Sequence, residues 1–212
     1  MSKALQIIFF ALFVRPIVYI LIGLNVTNWQ KLPKNGPAVI VANHNSHLDT
    51  LVLMSLFPLS MLQKVRPVAA ADYFLSNPLI GWFAKNIIGI LPIHRKGEAD
   101  NPLEGCFRAL DEGDILILFP EGSRGEPEQG LATFKKGVQI LAENRPNLRI
   151  YPVVLHGLGK IFPKGAWLPL PFCCDVIVGD FMKFQMTGPI FLENLVEHFN
   201  TVFREQSFPE WS

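Results

Sequence analysis

Ala38-Val39-Ile40-Val41-Ala42-Asn43-His44-Asn45-Ser46-His47-Leu48-Asp49 sets the architecture of this chain. Its first five residues are a short, continuous apolar run rich in Val and Ile, the pattern of a strand buried on both faces. Val52, Leu53 and Leu56 then recur at helical spacing, so a helix over 48–56 follows. His44 falls where the chain leaves the sheet, and Asp49 falls in the first turn of the helix. A carboxylate placed there can bend back and accept a hydrogen bond from one imidazole nitrogen. The other nitrogen stays free to take a proton. No serine or cysteine is placed beside them as a nucleophile, which points to a substrate that brings its own hydroxyl.

The same alternation continues outward. Apolar runs predict strands over Pro67–Ala71, Ile88–Ile93, Ile115–Phe119, Arg149–Leu155 and Asp175–Gly179. Helical patterns fall at Pro78–Lys85, Pro102–Glu112, Thr133–Glu143 and Leu192–Glu205, with Pro78 and Pro102 suited to a first turn. Asp111-Glu112-Gly113-Asp114 reads as a turn. Alternating β and α gives an α/β fold, a single domain with a mostly parallel, helix-covered sheet and its active residues at strand C-termini. There are no internal repeats and no long linkers.

Two further segments bring reactive side chains to strand ends. Gly89-Ile90-Leu91-Pro92-Ile93-His94-Arg95 delivers Arg95, whose planar fork of donors suits a phosphate or carboxylate. Phe119-Pro120-Glu121-Gly122-Ser123-Arg124-Gly125 sets Ser123 and Arg124 between glycines, so the backbone can approach a ligand and present its N–H groups. Glu121 can fix Arg124, bind an acceptor hydroxyl or shape the loop. The spacing is neither a Walker loop nor a nucleophile elbow, and Ser123 reads as a turn residue or hydroxyl donor. His44, Arg95 and Glu121 each follow a strand, so they are expected to converge on one mouth. Thr133-Phe134-Lys135-Lys136-Gly137 begins a helix, and its lysines either are solvated or add charge to that mouth. Tyr151-Pro152-Val153-Val154-Leu155 reads as a strand whose proline marks a first turn or a sheet edge.

Composition excludes several classes. A net charge of +1 argues against a nucleic-acid binder. Three cysteines, Cys106 and the pair Cys173-Cys174, give neither a disulfide framework nor a zinc site, and suggest a reducing, cytosol-facing setting. His47 reads as a surface or loop histidine rather than a second base, the sequence assigns no role to His94, His156 or His198, and no metal is expected. The sequon at Asn25 reads as chance.

The N-terminus is less soluble in character. As a helix, Ala4–Leu24 would be about 31 Å long, one hydrocarbon thickness. Arg15 in its middle costs about 2.5–3.5 kcal/mol on insertion, which the surrounding Leu, Ile, Phe and Val narrowly outweigh. A bent interfacial helix with Arg15 reaching lipid phosphates fits as well as a span, and a core helix is the bland alternative. Membrane contact is preferred because every face is apolar.

His44-x4-Asp49, Gly89–Arg95, Phe119–Gly125 and Tyr151–Leu155, in this order, resemble the four blocks of the lysophospholipid acyltransferase family, over about residues 30–180. The resemblance implies transfer of an acyl group to a lysophospholipid hydroxyl, most naturally that of 1-acyl-glycerol-3-phosphate. The donor would be acyl-CoA or acyl carrier protein as co-substrate, with no cofactor. It implies His44 and Asp49 as the catalytic dyad and Arg95, Glu121, Gly122, Ser123 and Arg124 as substrate-binding residues. One position departs: an acidic residue often precedes the arginine of the second block, and here His94 stands there. The implied organisation is a membrane-associating helical segment at 1–28 and an acyltransferase domain at 29–212, on the cytoplasmic face of a membrane. Another lysolipid acceptor, a thioesterase or hydrolase, and a non-catalytic lipid-binding module are the alternatives. Over Gly159–Cys174, Lys160 and Lys164 interleave with Trp167, Phe172 and three prolines, which predicts an irregular loop. It either dips into lipid headgroups or packs as a lid.

Overall fold

The computed structural model describes residues 2–72, 77–93, 101–122, 133–161, 174–184 and 188–204. Its strands are β1 (Leu24–Thr27), β2 (Ala38–Ala42), β3 (Val65–Ala70), β4 (Leu91–Ile93), β5 (Ile115–Leu118), β6 (Arg149–His156) and β7 (Cys174–Val178). Its helices are α1 (Lys3–Phe9), α2 (Leu48–Ser55), α3 (Pro78–Phe83), α4 (Glu104–Asp111), α5 (Gly137–Asn144), α6 (Leu158–Ile161) and α7 (Gly188–Arg204). The strands form one sheet in the order β1-β7-β6-β2-β5-β3-β4. β6, β2, β5, β3 and β4 run parallel; β7 is antiparallel to β6 and carries β1 parallel to itself. This is the expected α/β fold with a mostly parallel sheet.

Alternate residues of the central strands feed two cores. Ile40, Ile117 and Val153 face the N-terminal helix and α2, while Val39, Val41, Leu116 and Ile150 face α4, α5 and α7. Burial on both faces explains the unbroken apolar runs of β2 and β5, every residue of which is buried.

Several sequence expectations need correction. β1 has no strong apolar run; it lies inside the stretch read as N-terminal helix and joins that helix to the sheet by pairing with β7. The strand expected at Ile88–Ile93 shrinks to Leu91–Ile93, because α3 continues as a π-helical turn over Ala84–Ile88. Gly89, at φ 84°, ends that turn in the left-handed region. Pro152 is neither at an edge nor in a first turn but inside central β6. Its carbonyl accepts from the Gly179 N–H at 2.9 Å, between the end of the β7 ladder and the Ile150–Met182 bridge. A residue without a donor fits there because the ladder is already broken. The helix expected from Thr133 begins only at Gly137. Pro78 does occupy a first turn, after an Asn77 cap that accepts from the N–H groups of Leu79 and Ile80.

The N-terminal helix runs through α1 and two π-helical stretches, Phe10–Val14 and Ile17–Leu21. Gln6, Phe10, Val14, Val18 and Ile22 are buried against the domain, while Leu12, Phe13 and Ile20 are exposed. The widened π turns keep this every-fourth-residue stripe in line along one side. Arg15 does not point outward as the interfacial reading supposed. Its guanidinium donates to the Phe57 carbonyl at 2.7 Å, just beyond the C-terminus of α2, where unpaired carbonyls attract a cation. An apolar helix long enough to cross a membrane is therefore present over Lys3–Ile20, with one side packed on protein.

Candidate active site

The parallel pairing of β2 with β5 sets Val41 beside Leu118. His44 and Glu121 each lie three residues further on, so both leave the sheet at the same level. The contact that results is direct: the His44 N–H donates to Glu121 Oε1 at 2.9 Å. Glu121 is buried, and of the roles open to it this is the loop-shaping one. β4 runs parallel to β3 and β5, so it too ends on this edge of the sheet. Arg95, Ser123 and Arg124, expected at the same mouth, lie outside the described residues, as does His94.

Asp49 is wholly buried in the first turn of α2. Its Oδ2 accepts from the N–H of Asn45 at 2.6 Å, the N–H of Ser46 at 2.8 Å and His44 Nδ1 at 2.9 Å. Because an ionised carboxylate only accepts, the imidazole proton is assigned to Nδ1, which leaves a lone pair on Nε2. Nε2 has no hydrogen-bond partner among the described residues. Phe119 stacks on the imidazole, with ring centroids 4.3 Å apart and planes 26° from parallel. The ring is thus gripped at one nitrogen and along one face, and its side chain is 19% exposed.

Sequence reasoning gave Asn43 no role, and the structure gives it one. Its side-chain amide donates to the Leu155 carbonyl at 2.8 Å and accepts from the Leu155 N–H at 2.7 Å. This side chain imitates a strand neighbour one step past the β2–β6 ladder and ties the His44 loop to β6. Removing it takes the acceptor from the buried Leu155 N–H and leaves the Leu155 carbonyl with only the long 3.5 Å bond from Asn45 Nδ2. We expect Asn43→Ala to cost about 1–3 kcal/mol of stability, readable by denaturant unfolding. No local pattern signals such a bond, because its partners are 112 residues apart.

Lys135 also reaches this edge. Gly122 sits at φ 69°, and a Cβ there would collide with the Lys135 side chain, which lies across the glycine. The Lys135 N–H donates to the Pro120 carbonyl at 2.8 Å. Arg66 does not belong to this edge: with Lys64 it faces buried Asp114 at the opposite end of the strands. Among the described residues, neither Ser46 nor Cys106 is set up as a nucleophile. Ser46 Oγ accepts from the Leu48 N–H at 3.3 Å, and burial pushes the Cys106 thiol up to about 12. Among the described residues no group of three His, Cys, Asp or Glu is arranged to hold a metal ion.

A profile of the acyltransferase family matches residues 23–156, from the start of β1 to the end of β6. The chain belongs to the acyltransferase family. It is 32% identical over 153 residues to a chloroplast 1-acyl-sn-glycerol-3-phosphate acyltransferase of Arabidopsis thaliana, covering 70% of this chain and 40% of that protein. It is 29% identical over 169 residues to the Pseudomonas aeruginosa 1-acyl-sn-glycerol-3-phosphate acyltransferase, covering 77% and 61%. The chain thus spans about two fifths of the length of the plant relative. The fold is shared with the crystal structure of the 1-acyl-sn-glycerophosphate acyltransferase of Thermotoga maritima, with a TM-score of 0.74 at 19% identity. That match covers 99% of this chain and 81% of the other. Within the family match lie the dyad, Glu121 and Asn43. The N-terminal helix falls before it.

Proposed function

We propose that this protein transfers an acyl group from a thioester donor, acyl-CoA or acyl carrier protein, to the free hydroxyl of 1-acyl-glycerol-3-phosphate, giving phosphatidic acid. The observation that carries the reading is the buried Asp49 carboxylate holding His44 Nδ1, with Nε2 left unpartnered among the described residues. The relatives' names supply the acceptor.

His44 Nε2 takes the proton of the acceptor hydroxyl as its oxygen attacks the thioester carbonyl. The imidazolium that forms is stabilised by Asp49, and it returns the proton to the departing thiolate. No covalent enzyme intermediate is required, in keeping with the shielded Ser46 and the inert Cys106. Arg95, Ser123 and Arg124, with Gly122 and the loop that Glu121 shapes, would hold the acceptor phosphate and so aim its hydroxyl. The exposed apolar side of the N-terminal helix would rest in a lipid surface on the cytoplasmic face, where the lysolipid substrate is found.

Product analysis tests this reading. With 1-acyl-glycerol-3-phosphate and either donor, the purified chain is expected to make phosphatidic acid with one free thiol released per turnover. Without acceptor, thiol release is expected to stop. Steady fatty acid release in the absence of a lysolipid would instead show a thioesterase.

A further inference from the structure

We propose that Arg15 and Tyr19, on the N-terminal helix, are positioning residues for the His44–Asp49 dyad, holding α2 from its far end. For its kinetic consequence this rests on the acyl-transfer reading; for its geometry it rests on the structure alone. α2 spans eight residues, about 12 Å, so it is a short rod with the dyad's carboxylate at one end. The other end is gripped by two side chains one helical turn apart. The Tyr19 hydroxyl donates to the Ser55 carbonyl at 3.0 Å, and the Arg15 guanidinium donates to the Phe57 carbonyl at 2.7 Å.

Three observations separate this arrangement from incidental packing. Arg15 lies within an apolar helix, where a cation is expensive, and no acidic side chain pairs with it among the described residues. Its Nε is buried without a partner, so the carbonyl at the end of α2 is what holds the charge there. The two charges on α2 also match its macrodipole, Asp49 at the positive end and Arg15 at the negative end. Phe10, Val14 and Val18 share one core with Val52, Leu53 and Met54, so α2 has little freedom to move sideways. What the two polar bonds add is control along the rod's axis. That is the direction in which a slip would lengthen the 2.9 Å bond between Asp49 and His44.

The test uses the full chain in mixed micelles, so that membrane partition does not enter. Arg15→Gln is expected to lower kcat about 10-fold or more while KM for the lysolipid changes less than about 2-fold, as a sub-ångström misplacement of a base would. Arg15→Lys, which keeps a donor cation, should recover most of the loss, and Tyr19→Phe should show a smaller kcat effect of the same kind. In parallel, the downfield proton resonance of His44 Nδ1, assigned by its absence in His44→Ala, reports the dyad without substrate. It should broaden or shift in Arg15→Gln and return in Arg15→Lys. An unmoved resonance in Arg15→Gln overturns the proposal, whether kcat is unchanged or falls only in step with a lower Tm. A wild-type chain that shows no transfer to any lysolipid would count against the enzyme assignment, and the resonance would still decide the role of Arg15.

Discussion

His44→Ala is expected to lower kcat by about 10²- to 10⁴-fold, the contribution of a positioned proton acceptor, equivalent to about 3–5 kcal/mol of barrier. The side chain lies at the mouth, partly exposed, with its ring stacked on Phe119. Its loss should therefore leave the sheet and the N-terminal helix in place, with circular dichroism and lipid partition unchanged. KM for both substrates should move little, because in the proposed mechanism the ring acts on the hydroxyl proton and not on the phosphate or the acyl chain. The measurement is the rate of phosphatidic acid formation at saturating donor. Turnover within a few-fold of wild type would remove His44 from the mechanism.

Asp49 is expected to behave differently, since it ties the loop to α2 and, in the proposed mechanism, also supports the base. Asp49→Asn keeps the shape and leaves one oxygen to accept from the N–H groups of Asn45 and Ser46, but removes the charge that stabilises an imidazolium. If the amide NH2 takes the place of Oδ2 instead, the N–H groups of Asn45 and Ser46 lose their acceptor, the ring must change tautomer and Nε2 loses its lone pair. A kcat loss of about 10²-fold or more is expected, with a stability loss of about 1–3 kcal/mol. Asp49→Ala takes the acceptor from two backbone N–H groups, one buried and one part-buried, and removes the acidic side chain from the first turn of α2. We expect it to cost about 2–4 kcal/mol, a drop of several degrees in Tm. A variant with intact kcat and lowered Tm would make Asp49 structural only.

How much of this was legible beforehand depends on the range of each interaction. The strand, loop and helix over residues 38–55 were readable because an apolar run, a polar break and a helical repeat lie consecutively in the chain. The His44–Asp49 contact was readable for the same reason, five residues apart with a turn between. The meeting of His44 with Glu121 was legible only as strand ends sharing an edge. Its atoms depend on the β2–β5 register, which no local pattern encodes. Asn43 has no role legible in the sequence, and Arg15 is misplaced by it, because each bonds to a distant backbone carbonyl, and a carbonyl has no sequence signature. Pro152 misled because the rule against proline in a central strand assumes an unbroken ladder on both sides. Trp167 and Phe172, read as part of an interfacial loop or lid, lie outside the described residues.

Strand order has a bearing on how the chain is made. Apart from the β3–β4 and β6–β7 neighbours, every strand pairs with one remote in the sequence, and β1 finds its only partner, β7, some 150 residues later. As the nascent polypeptide emerges, the greasy leader of this domain is synthesised first and its edge strand must wait for the last one. During that delay the side chains that Phe10, Val14 and Val18 bury in the finished domain have no completed core to enter.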